Sequence, residues 1–214
     1  MNWKRTWSCA GAALLLLALP ARSQTRSSGE PLDSYEAMVA STVHQGNQDE
    51  IATARLAKER AASKSVKDFA DRVVRDHQSA ETQVRSYARS HKIDLDELSR
   101  RLTDLSQDQV IRERRARAVG SATGEWAWTW ENAVRGGTES RTEMGKLRTL
   151  KGVDFDREFV RVMVNDHQMM IDTLKDARTR TTDSDLKGLI DKLLPTLEEH
   201  LSLAQKAQTR VSKA

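Results

Sequence analysis

The sequence contains one cysteine, Cys9, in 214 residues. Cys9 precedes the apolar run of residues 10–19 instead of ending it, so it is not placed for lipid attachment. We expect this cysteine to be lost with the N-terminal segment that contains it. The remaining chain then has no thiol, which excludes both a disulfide and a metal site built from cysteine.

Long apolar runs are equally scarce, because residues 10–19 form the one long run in the sequence. Lys4 and Arg5 precede this run, and Ala21-Arg22-Ser23 follows it as a small-x-small cleavage site. The pattern is typical of a secretory signal peptide over residues 1–23. The run is too short to span a bilayer comfortably, and we expect no transmembrane helix in the mature chain. We therefore expect the chain to be exported.

A large charge excess of one sign is also absent once the signal peptide is removed. Lys4, Arg5 and Arg22 leave with it and no acid does, so Lys plus Arg falls from 35 to 32 against 31 Asp plus Glu, a net charge of +1. The basic run at 112–117 is typical of a solvated face. Nucleic-acid binding would need basic residues clustered on one face, so we expect no nucleic-acid partner.

The sequence shows neither a strand-period core nor a Gly-rich phosphate loop after a strand. Apolar residues instead recur at helical spacing, which predicts an all-α fold in one domain over residues 33–211. The predicted segments are a flexible lead-in at 24–32, helix 1 at 33–62, helix 2 at 66–91, a crossover insertion at 92–153, helix 3 at 155–177 and helix 4 at 185–211.

One stretch of the chain occurs twice. Residues 69–78 and 159–168 both read Phe, three residues, a β-branched residue or Met, Val, one residue, then Asp-His-Gln, and matching positions lie 90 residues apart. A repeat of this kind indicates an internal duplication. On a helix with about 100° per residue, the Asp and the His of each copy lie at the edges of the buried face.

The positions of the predicted turns place four polar residues at one height. On two antiparallel helices joined by a tight turn, residues equally far from the turn along the sequence lie at the same height. The midpoint between residue numbers 50 and 77 (Glu50 and His77) is 63.5, and that between 167 and 200 (His167 and His200) is 183.5. Both midpoints fall in predicted turns, so each pair lies roughly 20 Å from its turn. The crossover over 92–153 is long enough to make helices 2 and 3 parallel. All four residues are then expected to share one layer.

A buried layer of one carboxylate and three imidazoles needs partners. Burying these groups costs several kcal/mol unless they are paired or bind a metal ion. One Glu with three His suits one transition-metal ion, Zn, Cu, Ni or Fe. Asp76 and Asp166 could be further ligands or could orient the imidazole rings. A layer held by hydrogen bonds without metal is the alternative.

Three tryptophans alternate within the crossover insertion. Trp126, Trp128 and Trp130 lie in a Gly-bounded segment, and alternation is typical of an extended piece with one aromatic side. This side could pin the segment to the bundle core, or it could be the contact surface for a protein partner.

Several motifs together resemble a known family. They are Gln45-Gly46-Asn47-Gln48-Asp49-Glu50, Leu56-Ala57, Val66-Lys67-Asp68-Phe69-Ala70, Val74-Arg75-Asp76-His77, Leu150-Lys151-Gly152-Val153-Asp154-Phe155-Asp156, Met163-Val164-Asn165-Asp166-His167 and Leu194-Pro195-Thr196-Leu197-Glu198-Glu199-His200-Leu201. The family is catalogued as domain of unknown function 4142, and the resemblance covers about residues 34–92 and 147–208. It implies a ferritin-like four-helix bundle, two helical hairpins joined by a long crossover, in exported bacterial proteins without an established activity. Such proteins are often labelled as periplasmic or outer-membrane, so the resemblance implies a periplasmic location and leaves association with the outer membrane open. The Trp-bearing segment makes this crossover longer than is usual in the family.

The sequence favours a binding or stress-related role over catalysis, and we assign no catalytic residue. A di-iron site of the ferritin type needs Glu-x-x-His on two helices, but Val74, Val164 and Leu197 stand three residues before the histidines. One alternative is a scaffold whose polar layer is only hydrogen-bonded and whose tryptophans contact a partner. Another is a hydrolase that uses a metal-bound water, which needs an open coordination position.

Overall fold

The computed structural model of the chain describes residues 35–104 and 140–213. Its helices are α1 Tyr35–Arg60, α2 Lys64–Ser90, α3 Leu95–Asp104, α4 Gly152–Arg180 and α5 Ser184–Val211, and residues 140–149 are also helical. Within these two ranges the structure contains no strand, only an isolated bridge between Ala61 and Gly152. The prediction of an all-α fold is therefore confirmed for the described part of the chain.

Some predictions fall outside the described residues. These are the signal peptide at 1–23, the lead-in at 24–32 and the alternating Trp126, Trp128 and Trp130. Among the helices that the structure describes, none has a stretch long and apolar enough to cross a membrane.

The helix ends follow from local chemistry. Asp183 precedes α5, and its carboxylate accepts a hydrogen bond from the backbone N–H of Leu186 at 2.8 Å. This satisfies one of the N–H groups that a helix start leaves without a partner. At the start of α4, Gly152 has φ 62°, a left-handed conformation that glycine adopts without a steric penalty.

Two pairs of neighbouring helices run in opposite directions, since the numbers of contacting residues rise along one helix and fall along the other. The contacts are His44–Glu81 and Lys58–Asp71 between α1 and α2, and Arg157–Val211 and Arg178–Asp191 between α4 and α5. By contrast, α2 and α4 run in the same direction. The ring centroids of Phe69 and Phe159 lie 6.1 Å apart, and those of His77 and His167 lie 5.6 Å apart.

The apolar core is in two parts. One part is built from residues before 44 on α1 and after 83 on α2, with the second half of α4 and the first half of α5, and Ile93 and the α3 residues Leu95 and Leu98 belong to it as well. The other part uses the complementary halves of the same four helices, including Phe69, Phe155 and Phe159. On each helix a Glu or His lies between the two parts, so the polar layer separates them.

A buried carboxylate fixes the turn between α1 and α2. Asp156, on α4 and only 2% exposed, accepts hydrogen bonds from the backbone N–H groups of Ala62 at 2.9 Å and Ser63 at 2.7 Å. At the other end of the bundle, Thr181 donates from its hydroxyl to Glu36 at 3.3 Å. Each turn is thus held by an acidic side chain from the helix packed beside it.

Candidate metal centre

The structure brings together four residues that the sequence placed in one layer. Glu50 on α1, His77 on α2, His167 on α4 and His200 on α5 come from four different helices. Glu50 and His77 are 6% and 4% exposed, and both other histidines are fully buried. The two apolar parts of the core lie on either side, so the layer is a polar centre within an apolar bundle.

The distances between the inner atoms match those between ligands of one ion. Glu50 Oε2 lies 3.0 Å from His77 Nε2 and 3.4 Å from His167 Nε2, and His167 Nε2 lies 3.2 Å from His200 Nδ1. A metal with ligands at about 2.05 Å in tetrahedral geometry has ligand atoms roughly 3.3 Å apart. The ligand atoms of the three histidines all lie within 4.8 Å of one another. The layer therefore has the dimensions of a single-ion site.

A relay of buried polar groups orients His77. Its Nδ1 donates to the amide oxygen of Asn47 at 2.9 Å, and Asn47 Nδ2 donates to Glu81 Oε2 at 3.4 Å. Glu81 Oε1 lies 2.7 Å from His44 Nδ1. Because a carboxylate only accepts, Glu81 selects the amide nitrogen of Asn47 and turns the amide oxygen toward His77. The proton of neutral His77 is then on Nδ1, and its Nε2 lone pair points into the layer.

The two other histidines are fixed in the same manner. His167 Nδ1 donates to the backbone carbonyl of Met163 at 2.8 Å, which leaves the Nε2 lone pair facing inward. His200 Nε2 donates to Asp76 Oδ2 at 2.8 Å, which leaves the Nδ1 lone pair facing inward. A metal-ligating histidine typically donates its other ring N–H to a carboxylate, amide or backbone carbonyl. All three imidazoles show this arrangement.

When all three histidines are neutral, the inner atoms lack a donor among themselves. Neutral His77, His167 and His200 present lone pairs to one another and to the carboxylate of Glu50, so the contacts between them are repulsive without a cation. Glu50 Oε2 and His77 Nε2 lie at ion-pair distance, yet neither has a hydrogen-bond partner within the described part of the chain. Buried polar atoms without a partner are rare in native proteins, and a shared cation would satisfy both.

At neutral pH the charge states of Glu50 and His167 suit a metal ion, whereas the raised pKa of His77 favours its protonated form. Burial alone would raise the pKa of Glu50, but the charges of His167 and His77 lower it to about 2, so this carboxyl is ionised. Burial lowers the pKa of His167 to about 4 and also lowers the pKa of His200. Burial acts to lower the pKa of His77, but the charge of Glu50 outweighs it and raises this pKa. A neutral His167 beside an ionised Glu50 is the state that a metal ion requires.

The two predicted aspartates have different positions. Asp76 is half-buried and accepts the hydrogen bond from His200, so it orients this ring and lies outside the group of inner ligand atoms. Arg72 lies 3.4 Å from the same carboxylate oxygen. Asp166 is half-buried on α4 beside His167, and it is not part of the group of histidines that could hold an ion.

A second group of potential ligands lies near the end of the bundle. His91, Asp183 and Asp185 have ligand atoms within 4.8 Å of one another, and His91 Nε2 is 3.5 Å from both carboxylates. This group is more exposed, and Asp183 already caps α5. Exposed acidic groups of this kind are common without a metal, so the buried layer is the stronger candidate.

The sequence analysis missed the relay behind His77. His44, Asn47 and Glu81 are all buried, and none was singled out for a role. A signal was present, because Asn47 precedes Glu50 by three residues and Glu81 follows His77 by four. Such spacings place side chains on the same helix face.

Comparison with known proteins confirms the resemblance found in the motifs. The family described as Domain of unknown function (DUF4142) matches residues 21–118 and 133–207. These ranges cover more than half of the sequence, so the chain belongs to this family. The unmatched residues 119–132 contain all three alternating tryptophans. Searches of curated proteins and of solved structures give no match to the chain.

Proposed function

We propose that the protein is an exported helical-bundle protein that binds one transition-metal ion through Glu50, His77, His167 and His200. The observation that carries this proposal is the outer hydrogen bonding of the three histidines, which leaves three inner lone pairs beside one buried carboxylate. A set of three imidazoles and one carboxylate suits Zn, Cu, Ni or Fe. The ion would supply the positive charge that the layer needs, in a binding or stress-related role.

The proposal includes a ferritin-like arrangement of the bundle. The antiparallel pairs α1–α2 and α4–α5 would be the two hairpins, and residues 92–153 would be the crossover that carries the Trp segment. The common direction of α2 and α4 supports it, since a connection running the length of the bundle produces this geometry. Resemblance to the ferritin fold does not imply that the protein catalyses a ferritin-type reaction.

Metal analysis combined with thermal melting tests the proposed site. Wild-type protein treated with chelator should melt at a lower temperature than the same protein after addition of Zn, Cu, Ni or Fe, because a ligand that binds only the folded state stabilises it. Glu50→Gln keeps the shape of the side chain but removes its charge, and it should reduce the metal-induced shift. Glu59→Gln on the exposed face of α1 is the matched control. Metal-free purified protein whose melting temperature no metal changes would refute the proposal.

A scaffold with a metal-free polar layer is the competing function. The 3.0 Å contact of Glu50 with His77 favours it, because a protonated His77 would supply the positive charge that the layer needs. Trp126, Trp128 and Trp130 would then be the contact surface for a protein partner. This function predicts that chelator and metal leave the melting temperature unchanged.

The proposed location is the periplasm, and it is supported by the signal-peptide pattern of residues 1–23. Intact mass spectrometry of the exported protein should give a chain that begins after Ser23. A mature chain that still carries Cys9 would mean that the segment is an anchor.

A further inference from the structure

A cavity of about 100 Å³ adjoins the polar layer on one side. The cavity lies one helical turn from the layer. At this level each of the four helices lines the cavity with a residue three or four positions from its Glu or His in the layer. These residues are Gly46, Ala80, Met170 and Thr196. The cavity thus lies next to the layer, and it opens toward solvent where the exposed residues Ser79 and Lys192 line it.

Small residues leave room for the cavity on this side of the layer. Three of the four residues are small, and a Cβ atom at Gly46 would lie 2.7 Å from the terminal methyl group of Met170, so this methyl group occupies the place of the missing side chain. One turn away on the opposite side of the layer, the corresponding residues are all fully buried. They are Ala54, Val73, Met163 and Ala204. The layer therefore adjoins fully buried residues on one side and a cavity on the other.

The cavity reaches the candidate ligands themselves. Glu50 and His77 line it, and both retain a small exposed fraction, whereas His167 and His200 are fully buried. Asp76 also lines it, but its carboxylate is already bonded to His200 and lies beside Arg72. An ion held in the layer would be approached by a small molecule from the cavity side.

Charge and size define the molecule that fits. A divalent ion with one carboxylate and three neutral imidazoles has a net charge of +1, and burying an uncompensated charge is unfavourable. A cavity of this volume holds about three water molecules at roughly 30 Å³ each. From this geometry we propose that the cavity is a coordination pocket for a small monoanion of two to four non-hydrogen atoms. This inference rests on the proposed metal site, whose four protein ligands have tetrahedral spacing, so the anion would bind as a fifth ligand.

Apolar and basic groups complete the pocket. Val43, Leu193 and Leu197 form apolar walls, which exclude larger hydrated ions, and Lys192 lines the pocket from an exposed position. A positive charge at this place would attract anions toward the layer. Zinc sites can expand from four to five ligands, which is the change that binding of the anion would require here.

Azide binding to the Co²⁺-loaded protein tests the pocket. The visible absorption of Co²⁺ reports its ligands, so binding of Co²⁺ and binding of azide are measured separately in one sample. Ala80→Leu and Thr196→Leu fill the cavity from two different helices without altering a candidate ligand. Ala52→Leu, on the exposed face of α1, is the matched control.

Azide should change the Co²⁺ spectrum saturably in the wild type and in Ala52→Leu. Azide affinity should fall at least tenfold in each cavity-filling variant that still binds Co²⁺. If Co²⁺ binds the wild type saturably but azide does not change its spectrum, the proposed anion pocket is contradicted and the metal site is not. Undiminished azide binding in both filled variants would also overturn it. Failure of Co²⁺ and the other metals to bind would remove the metal site and the pocket together.

Discussion

Glu81 acts on the candidate metal layer through Asn47. Its carboxylate accepts from the amide nitrogen of Asn47, the amide oxygen accepts from Nδ1 of His77, and Nε2 of His77 faces Glu50. Reversing the amide would place an N–H group against His77 Nδ1 and favour the tautomer with its proton inside the layer. The orientation of His77 therefore depends on a carboxylate that lies outside the layer.

Glu81→Gln should weaken metal binding while the fold is kept. Glutamine can either donate or accept, so the amide of Asn47 is no longer held in one orientation. Loss of a hydrogen-bond partner behind a metal ligand typically reduces affinity about 10–100-fold, measured by competition with a chromophoric chelator. In the same experiment ¹⁵N NMR of the metal-free protein, recorded above the raised pKa of His77, should show His77 with its proton on Nδ1 in the wild type and a mixture of tautomers in the variant. Unchanged affinity and tautomer would contradict the role of Glu81.

Acid should destabilise the metal-free protein through its buried histidines. His167 has a pKa of about 4 in the folded chain against an ordinary value of 6.5, and the pKa of His200 is lowered as well. The unfolded chain therefore binds more protons as pH falls below 6.5, and the free energy of unfolding falls with it. His77 has a raised pKa in the folded chain, so it stabilises the fold when protonated. This stabilisation is fully present below pH 6.5 and does not change as pH falls further.

Urea unfolding of chelator-treated protein between pH 6.5 and 5 measures this effect. This range lies above the ordinary pKa of Glu50, 4.5, so protonation of its carboxyl adds little. We expect the free energy of unfolding to fall steadily with pH, and a constant or rising value would show that the histidines are already protonated in the folded protein.

At the scale of helices, apolar periodicity and turn chemistry made much of the fold predictable from the sequence. The Asp-His-Gln repeat and the two turn midpoints placed Glu50, His77, His167 and His200 at one height, and the structure brings these four side chains together. Helix rise and the 100° step depend only on local geometry, which is why such reasoning reached across four helices.

Contacts between helices that are distant in sequence could not be predicted in this way. Asp156 lies 94 residues from Ala62, to whose backbone it bonds, and no local pattern indicates that its carboxylate caps a turn elsewhere. The acceptor role of Asn47 toward His77, on a different helix, likewise depends on packing. Helix ends depend on similar contacts, and α4 begins at Gly152 where the periodicity places its start at 155.

Asp156→Ala should destabilise the junction of α1, α2 and α4. The change removes a buried carboxylate that accepts from the N–H groups of Ala62 and Ser63, and both donors would lose this partner. Hydrogen bonds to charged groups contribute about 1.5–3 kcal/mol each, and an unsatisfied buried donor adds to the loss. We expect the free energy of unfolding, measured in urea, to fall by about 2–3 kcal/mol.

Asp154→Ala is the control for this prediction, because the Asp154 side chain is 76% exposed and lies 3.7 Å from Arg157. Surface substitutions of this kind change stability by about 0.5 kcal/mol or less. Equal losses in the two variants would show that Asp156 does not hold the turn.

For the whole molecule, the polar layer divides one helical bundle into two apolar cores. Each of α1, α2, α4 and α5 passes through both cores and contributes one residue to the layer. An ion bound to all four helices would therefore act on the full tertiary structure. Because unfolding separates the ligands, the stabilisation should grow with the free metal concentration, by about 2.7 kcal/mol when that concentration is 100 times the dissociation constant.

Thermal melts at increasing free metal should show this linkage. The melting temperature should rise with the logarithm of free metal concentration in the wild type. In His200→Ala it should respond much less, since one ligand is lost. Chelator should reverse the rise, and low pH should release the ion because the imidazoles must be neutral to bind it. A melting temperature of the wild type that is independent of metal concentration would contradict a site shared by four helices.

X-ray absorption spectroscopy at the metal edge tests the shared site most directly. The chain should be loaded with one equivalent of Zn²⁺, and the extended fine structure should give ligand atoms at about 2.0–2.1 Å with the multiple-scattering pattern of three imidazoles. Glu50→Gln should alter the oxygen contribution and keep the three imidazoles. A spectrum with at most one imidazole, or with only oxygen ligands, would contradict binding of the ion by His77, His167 and His200.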